Sequence, residues 1–202
     1  HRADAAILQE SSGFHAMCKK LLGENVAVLE QTIQLLDPRQ VSRAVDLLRR
    51  SRRVVCMGQG SSMVLSEEAW TLFSTVSPKF LFVPDSHLQM NTLALMDPDE
   101  LVLFFSYSGS TRDFQDLLEV ARQRQVKVVL VSRFPKSPGG QLADVVLQCG
   151  ADEGPLQAGS VNARMAQLFV LDVLFQEFCM RAPEETEQSR EQIAEAVARK
   201  HL

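Results

Sequence analysis

The stretch Leu101-Val102-Leu103-Phe104-Phe105-Ser106-Tyr107-Ser108-Gly109-Ser110-Thr111 joins two halves of unlike chemistry. Its first five residues are apolar without a break, whereas a strand with one wet face would alternate. A short continuous run of this kind predicts a strand covered on both faces, as in a parallel sheet. Its last six residues carry four serine or threonine hydroxyls and one glycine. Directly after it, Phe114, Leu117, Leu118 and Ala121 recur at helical spacing, so the hydroxyl-rich part is a strand-to-helix loop.

Working outward, the same rhythm repeats on both sides. Further strands are predicted over 54–57, 80–83, 126–131 and 144–148, most of them continuous apolar runs. After the first of them, Leu65, Ala69, Leu72, Phe73 and Val76 mark a helix. Strands alternating with helices imply βαβ units with right-handed crossovers, hence a doubly wound three-layer αβα domain on a parallel sheet of five strands. Before it, Leu22, Val26, Leu29, Ile33 and Leu36 form a stripe on a helix over 14–36. Asp37-Pro38 reads as an N-cap with proline at the first helical position, opening a helix to about residue 50 with Val41, Val45 and Leu48 on one face. Residues 161–180 read as a helix apolar almost all round, which must be buried in the core or in a subunit interface. Beyond Pro183 the chain is highly charged, with a thin stripe of Ile193 and Val197. The expected division is a helical extension over 1–50, the α/β domain over 51–182 and a charged helix over 183–202.

The bulk composition narrows the function. With 202 residues, 46% hydrophobic and 23% charged, the chain suits one α/β domain with helical extensions. A net charge of -4 makes it a poor nucleic-acid binder by itself. The run Arg49, Arg50, Arg52 and Arg53 reads as the solvated end of a helix leading into a strand. Cys18, Cys56, Cys149 and Cys179 form no C-x-x-C pair and read as reduced, buried thiols. No run is long and apolar enough to span a membrane, and no signal-peptide pattern is present, so a cytoplasmic location is expected.

In open parallel sheets, ligands bind beyond the C-terminal strand ends, where the winding direction reverses. Two loops there share a composition: Gly58-Gln59-Gly60-Ser61-Ser62 and the hydroxyl-rich loop above. Each ends where a helix begins, and a helix N-terminus offers unpaired N–H groups and a positive dipole end to an anion. Gly60 and Gly109 permit close backbone approach, while Ser61, Ser62, Ser106, Ser108, Ser110 and Thr111 add uncharged donors. Serine and threonine also cap helices routinely, so either loop alone could be structural. The first loop lacks the third glycine of a dinucleotide fingerprint, having Met63 there, and neither loop has the G-K-[ST] of a P-loop. His87 could act as an acid-base group or be a surface histidine. Glu153 could accept sugar hydroxyl protons or serve as a base, and Arg164 could reach an anion or pair with Glu153. No His or Cys pair has metal-ligand spacing, and no cofactor is expected.

These residues resemble a known family. Ser106-Tyr107-Ser108-Gly109-Ser110-Thr111 looks like the S-x-S-G-x-T phosphate loop of the SIS (sugar isomerase) domain, and Gly58-Gln59-Gly60-Ser61 is similar to its first loop. The closer similarity is to the effector-binding domain of MurR/RpiR-family transcriptional regulators. It extends to Asp85-Ser86-His87-Leu88-Gln89, to the stretch from Ser137-Pro138 to Ala143-Asp144, to Glu153, and to Gly159-Ser160 through Arg164-Met165-Ala166-Gln167-Leu168. The resemblance covers roughly residues 14–180. It implies a flavodoxin-like strand order, a homodimer or tetramer, and a phosphorylated sugar or sugar acid held by Ser61, Ser106, Ser108 and Thr111. Such regulators carry an N-terminal helix-turn-helix domain that this sequence lacks. The chain, beginning at His1, is therefore expected to be an effector domain that meets DNA only through the missing part. Two other readings stay open: an aldose–ketose phosphosugar isomerase using Glu153 or His87, and a purely structural dimerisation module.

Overall fold

The computed structural model describes residues 2–150 and 160–198, with residues 2–12 described by their backbone alone. In chain order the elements are α1 (Arg2–Leu35), α2 (Pro38–Arg50), β1 (Val54–Gly58), α3 (Met63–Ser74), β2 (Phe80–Phe82), α4 (Ser86–Ala94), β3 (Leu101–Phe105), α5 (Arg112–Gln123), β4 (Lys127–Ser132), α6 (Pro138–Leu142), β5 (Val145–Gln148), α7 (Val161–Met180) and α8 (Pro183–Ala198). The five strands form one sheet in the order β2-β1-β3-β4-β5, every pair parallel. This is the expected doubly wound fold.

All five residues of β1 and all five of β3 are buried, as their unbroken apolar runs require. The pleat sends alternate side chains to opposite faces. Val54, Cys56, Leu101, Leu103, Phe105, Val129 and Val131 meet α2, α3 and α7 on one side. Val55, Met57, Val102, Phe104, Val128 and Leu130 meet Leu93 of α4 and Phe114, Leu117, Leu118 and Ala121 of α5 on the other. Phe73 anchors the first layer, stacked on Phe80 at 4.3 Å and edge-on to Phe175 and Phe178 at 5.3 Å. Phe104 stacks on Phe114 at 4.1 Å in the second. Helix α7 lies in the core, with Ala166, Val170, Leu171, Leu174, Phe175 and Phe178 buried. Among the described residues, no helix is long and apolar enough to cross a membrane.

Of the stripe on α1, Leu22, Val26 and Ile33 are 64%, 43% and 59% exposed and Leu36 packs against the core, while Val28 and Thr32 beside them are buried. A polar residue occupies the packing face because its hydroxyl is satisfied there, donating to Val28 O at 2.7 Å and accepting from Gly150 N at 3.1 Å. The arginine run is not merely solvated. Arg49 pairs with Glu185, Arg52 with Asp97 and Asp99, and Arg53 with Glu100, whose side chain is fully buried. Finally, Cys18 is exposed, and only Cys56, Cys149 and Cys179 are buried thiols.

Candidate functional site

The strand order reverses direction between β1 and β3, and Gly58 lies opposite Phe105 in their register. The two loops that follow therefore leave the sheet side by side. Between them is a cavity of about 260 Å³, lined by Gln59, Gly60, Ser61 and Ser62 from the first loop. The second loop and the strand before it contribute Phe104, Phe105, Ser106, Tyr107, Ser108 and Thr111. The two hydroxyl-bearing loops thus converge at the switch point, where such folds place ligands.

The hydroxyls are not used as helix caps where capping would be simplest. Thr111 is the N-cap residue of α5 and Ser62 that of α3, yet neither side chain makes a capping hydrogen bond. Elsewhere the protein does cap with side chains: Asp37, Asp85, Ser137 and Ser160 each accept from a first-turn N–H. Thr111 Oγ1 and the first-turn N–H groups of α5 thus stand at the cavity as donors. Ser106 Oγ accepts from Gly109 N at 3.1 Å, and Ser108 Oγ accepts from Ser110 N at 3.3 Å. A hydroxyl oxygen that already accepts is polarised to donate its own proton, so both suit an anion. None of these lining residues carries a formal charge at neutral pH.

The second loop is held from behind by the end of β4 and the segment after it, of which only Ser137-Pro138 to Ala143-Asp144 entered the resemblance, without an assigned role. Ser132, fully buried, donates through Oγ to Tyr107 O at 3.0 Å. Arg133 N also donates to Tyr107 O, and Gly139 N donates to Gly109 O at 2.9 Å. Gly109 has φ +61, and a Cβ there would collide with Ser137 Oγ. The first loop has its own tether. Gln89, fully buried on α4, donates through Nε2 to Gly58 O at 3.0 Å and to Val83 O at 2.8 Å. Gln167, buried on α7, donates to Val131 O at 3.3 Å beside the end of β4. Gln89, Gln167 and Ser137 lie in the motifs that carry the resemblance, but their tethering role is not legible from the sequence, and Ser132 lies outside those motifs.

The remaining candidates fall differently. Gly109 and Ser110 shape the loop but do not line the cavity; Ser110 Oγ donates to Ser108 O at 3.0 Å. His87, on the first turn of α4, is exposed and outside the lining. Arg164, on the first turn of α7, is half-buried and also outside it. Glu153 lies outside the described residues. Among the described residues no group of three or more His, Cys, Asp or Glu is placed to hold a metal ion.

A doubly wound domain with an uncharged, donor-rich cavity at its switch point offers the kind of site that suits a small anionic group. The SIS domain family profile matches residues 47–176, and the chain belongs to that family. It is 27% identical over 161 residues to the uncharacterized HTH-type transcriptional regulator YbbH of Bacillus subtilis, covering 79% of this chain and 57% of that protein. It is 27% identical over 136 residues to the HTH-type transcriptional regulator RpiR of Escherichia coli, covering 67% of this chain and 46% of that protein. The chain thus spans about half the length of these relatives. The Vibrio vulnificus NanR protein, solved in complex with ManNAc-6P, shares the fold with a TM-score of 0.85 at 24% identity, over 96% of this chain and 73% of that one.

Proposed function

We propose that this chain is the phosphosugar-sensing domain of a transcriptional regulator. The observation that carries the reading is Thr111: it occupies the N-cap position of α5 at the cavity wall, and its hydroxyl makes no cap. A phosphate there would accept from Thr111, Ser106 and Ser108 and from the first N–H groups of α5, with the helix dipole favouring its charge. Ser61 and Ser62 face it from the first loop. The similarity to HTH-type regulators, and the ManNAc-6P carried by the NanR structure, support a phosphorylated sugar or sugar acid as ligand. Contact with DNA would belong to the part of those relatives that this chain does not span. The exposed Phe14, Met17, Leu21 and Leu22 on α1 support a homodimer or tetramer as the working form. A ligand would change operator affinity by binding one subunit arrangement more tightly than another.

An isomerase on the same scaffold needs a base at the substrate carbons. Among the described residues, those that line the cavity include no carboxylate, histidine or lysine, and the sequence candidate for that base, Glu153, lies outside them; the similarity to HTH-type regulators is what favours sensing.

The test is calorimetry with Ser108→Ala and Thr111→Ala. Each is expected to weaken sugar-phosphate binding by about 1–3 kcal/mol, the usual loss for a hydrogen bond to a charged group. Unchanged affinity in both variants would remove the phosphate from this loop. An isomer appearing in an NMR time course, and absent with Glu153→Gln, would make the chain an enzyme.

A further inference from the structure

Gln59 is the first residue of the loop after β1 and lines the cavity in an extended conformation, φ −127 and ψ 150. Its Nε2 is shut off from water and has no hydrogen-bond partner. An orphaned buried donor destabilises the free protein, and native proteins keep such a group where it has a use. The backbone beside it is fixed: the Gly58 carbonyl accepts from the fully buried Gln89. The side chain has three torsions of its own, so the amide can turn while the loop stays in place. It is the one amide among the described lining residues, which otherwise offer hydroxyls, backbone and aromatic rings.

We infer that Gln59 is the residue that reads the sugar: its amide turns from its unpaired position into the cavity and bonds an oxygen on the ligand's carbon skeleton. The inference rests on the phosphosugar reading above and deepens it. The phosphate end is matched by Thr111, Ser106 and Ser108 at the helix end, donors that suit an anion and need no acceptor. A sugar hydroxyl both donates and accepts, and an amide presents both functions in one plane. Gln59 leaves β1 beside the start of that loop, as the Gly58–Phe105 register requires, so it can meet the portion of the ligand next to the phosphate. Ligand binding would relieve the orphaned donor, a free-energy gain that inorganic phosphate cannot supply.

The experiment compares wild type with Gln59→Met, which keeps the length and removes the amide. The first readout needs no ligand: thermal unfolding of the free protein. The variant is expected to melt at the wild-type temperature or a few degrees higher. A lower melting temperature would mean that the amide is bonded in the free protein, overturning the inference. The second readout is affinity for inorganic phosphate and for fructose 6-phosphate, glucosamine 6-phosphate and N-acetylmannosamine 6-phosphate. Gln59→Met is expected to leave phosphate affinity within twofold and to weaken the best sugar phosphate about three- to tenfold. Equal losses for both would make Gln59 a phosphate ligand and overturn the inference. So would a wild type that binds phosphate and none of these sugars more tightly than phosphate itself. Thr111→Ala run alongside separates the two readings: if it leaves phosphate binding intact, the phosphate-loop assignment falls and this inference with it.

Discussion

Thr32 and Gly150 stand 118 positions apart in the chain, and the Gly150 N–H donates to the Thr32 hydroxyl at 3.1 Å in a fully buried setting. Gly150 lies two residues beyond β5 with φ +87, and a Cβ added to it would meet the Tyr107 hydroxyl at 2.7 Å. The N-terminal helix, the exit of the last strand and the phosphate loop thus meet at one point. Thr32→Val keeps the shape and removes both hydrogen bonds, leaving a buried N–H without a partner. It should lower unfolding stability by about 1–3 kcal/mol in a denaturant titration. Thr32→Ser, which keeps the hydroxyl, should cost about 1 kcal/mol or less.

The two left-handed glycines of the site should respond differently. Gly60, φ +57, has nothing within 4 Å of an added Cβ, whereas Gly109, φ +61, is crowded by Ser137 and Ser132. Gly60→Ala should cost about 1–2 kcal/mol, the left-handed strain alone. Gly109→Ala adds a collision to that strain. It should destabilise further and abolish phosphate binding by displacing the loop, measured by thermal unfolding and calorimetry on the two variants side by side.

Affinity should follow the ligand's own ionisation. The described residues that line the cavity include no histidine, carboxylate or lysine, and their uncharged donors favour the phosphate dianion over the monoanion. Binding should therefore tighten as pH rises through the second phosphate ionisation, near pH 6, and then level off. Calorimetry from pH 5 to 8 checks this, and a loss of affinity between pH 7 and 8 would point to a protein group instead.

Thiol reactivity should separate by burial. Desolvation pushes the Cys149 thiol up to about 12 and Cys56 higher still, while Cys18 is exposed on α1. Alkylation at pH 8, followed by mass spectrometry, should modify Cys18 and leave Cys56 and Cys149 intact until denaturant is added.

Glu100 is the acid whose loss should cost most. It accepts from Arg53 and from Asp97 N, both at 2.9 Å, with its side chain fully buried. Glu100→Ala strands the partly buried Arg53 guanidinium and should destabilise by about 3 kcal/mol, read from the shift in a urea midpoint.

The strands were legible because burial on both faces writes itself as an unbroken apolar run. The third is found at its expected bounds, the fourth is displaced by one residue at both ends, and the other three differ by one residue at one end. Helices α4 and α6 were not read as helices: they span 86–94 and 138–142, too short to show a period, and α6 opens on Pro138-Gly139-Gly140. On α1 the apolar stripe showed a helix but not which face meets the body, because periodicity reports amphipathicity alone. The hydroxyls at the site were visible from their density after β1 and β3. Gln89, Ser137 and Gln167 stood in the motifs of the resemblance, but their role and that of Ser132 were not legible, since a buried polar tether announces itself only once the carbonyl it serves is in place. His87 drew notice as a chemically versatile residue, yet the fold leaves it on the surface of α4, away from the cavity.

The separate tethering of the two loops bears on how such a domain diversifies. Gln89 holds the loop after β1, and Ser132 with the α6 segment holds the loop after β3, with no member in common. Drift in one loop leaves the scaffold of the other untouched. On the proposed reading, a lineage would exchange the sugar it answers to by altering the neighbourhood of Gln59 while inheriting the proposed phosphate anchor unchanged, and an engineer retargeting the domain would have the same division of labour to work with.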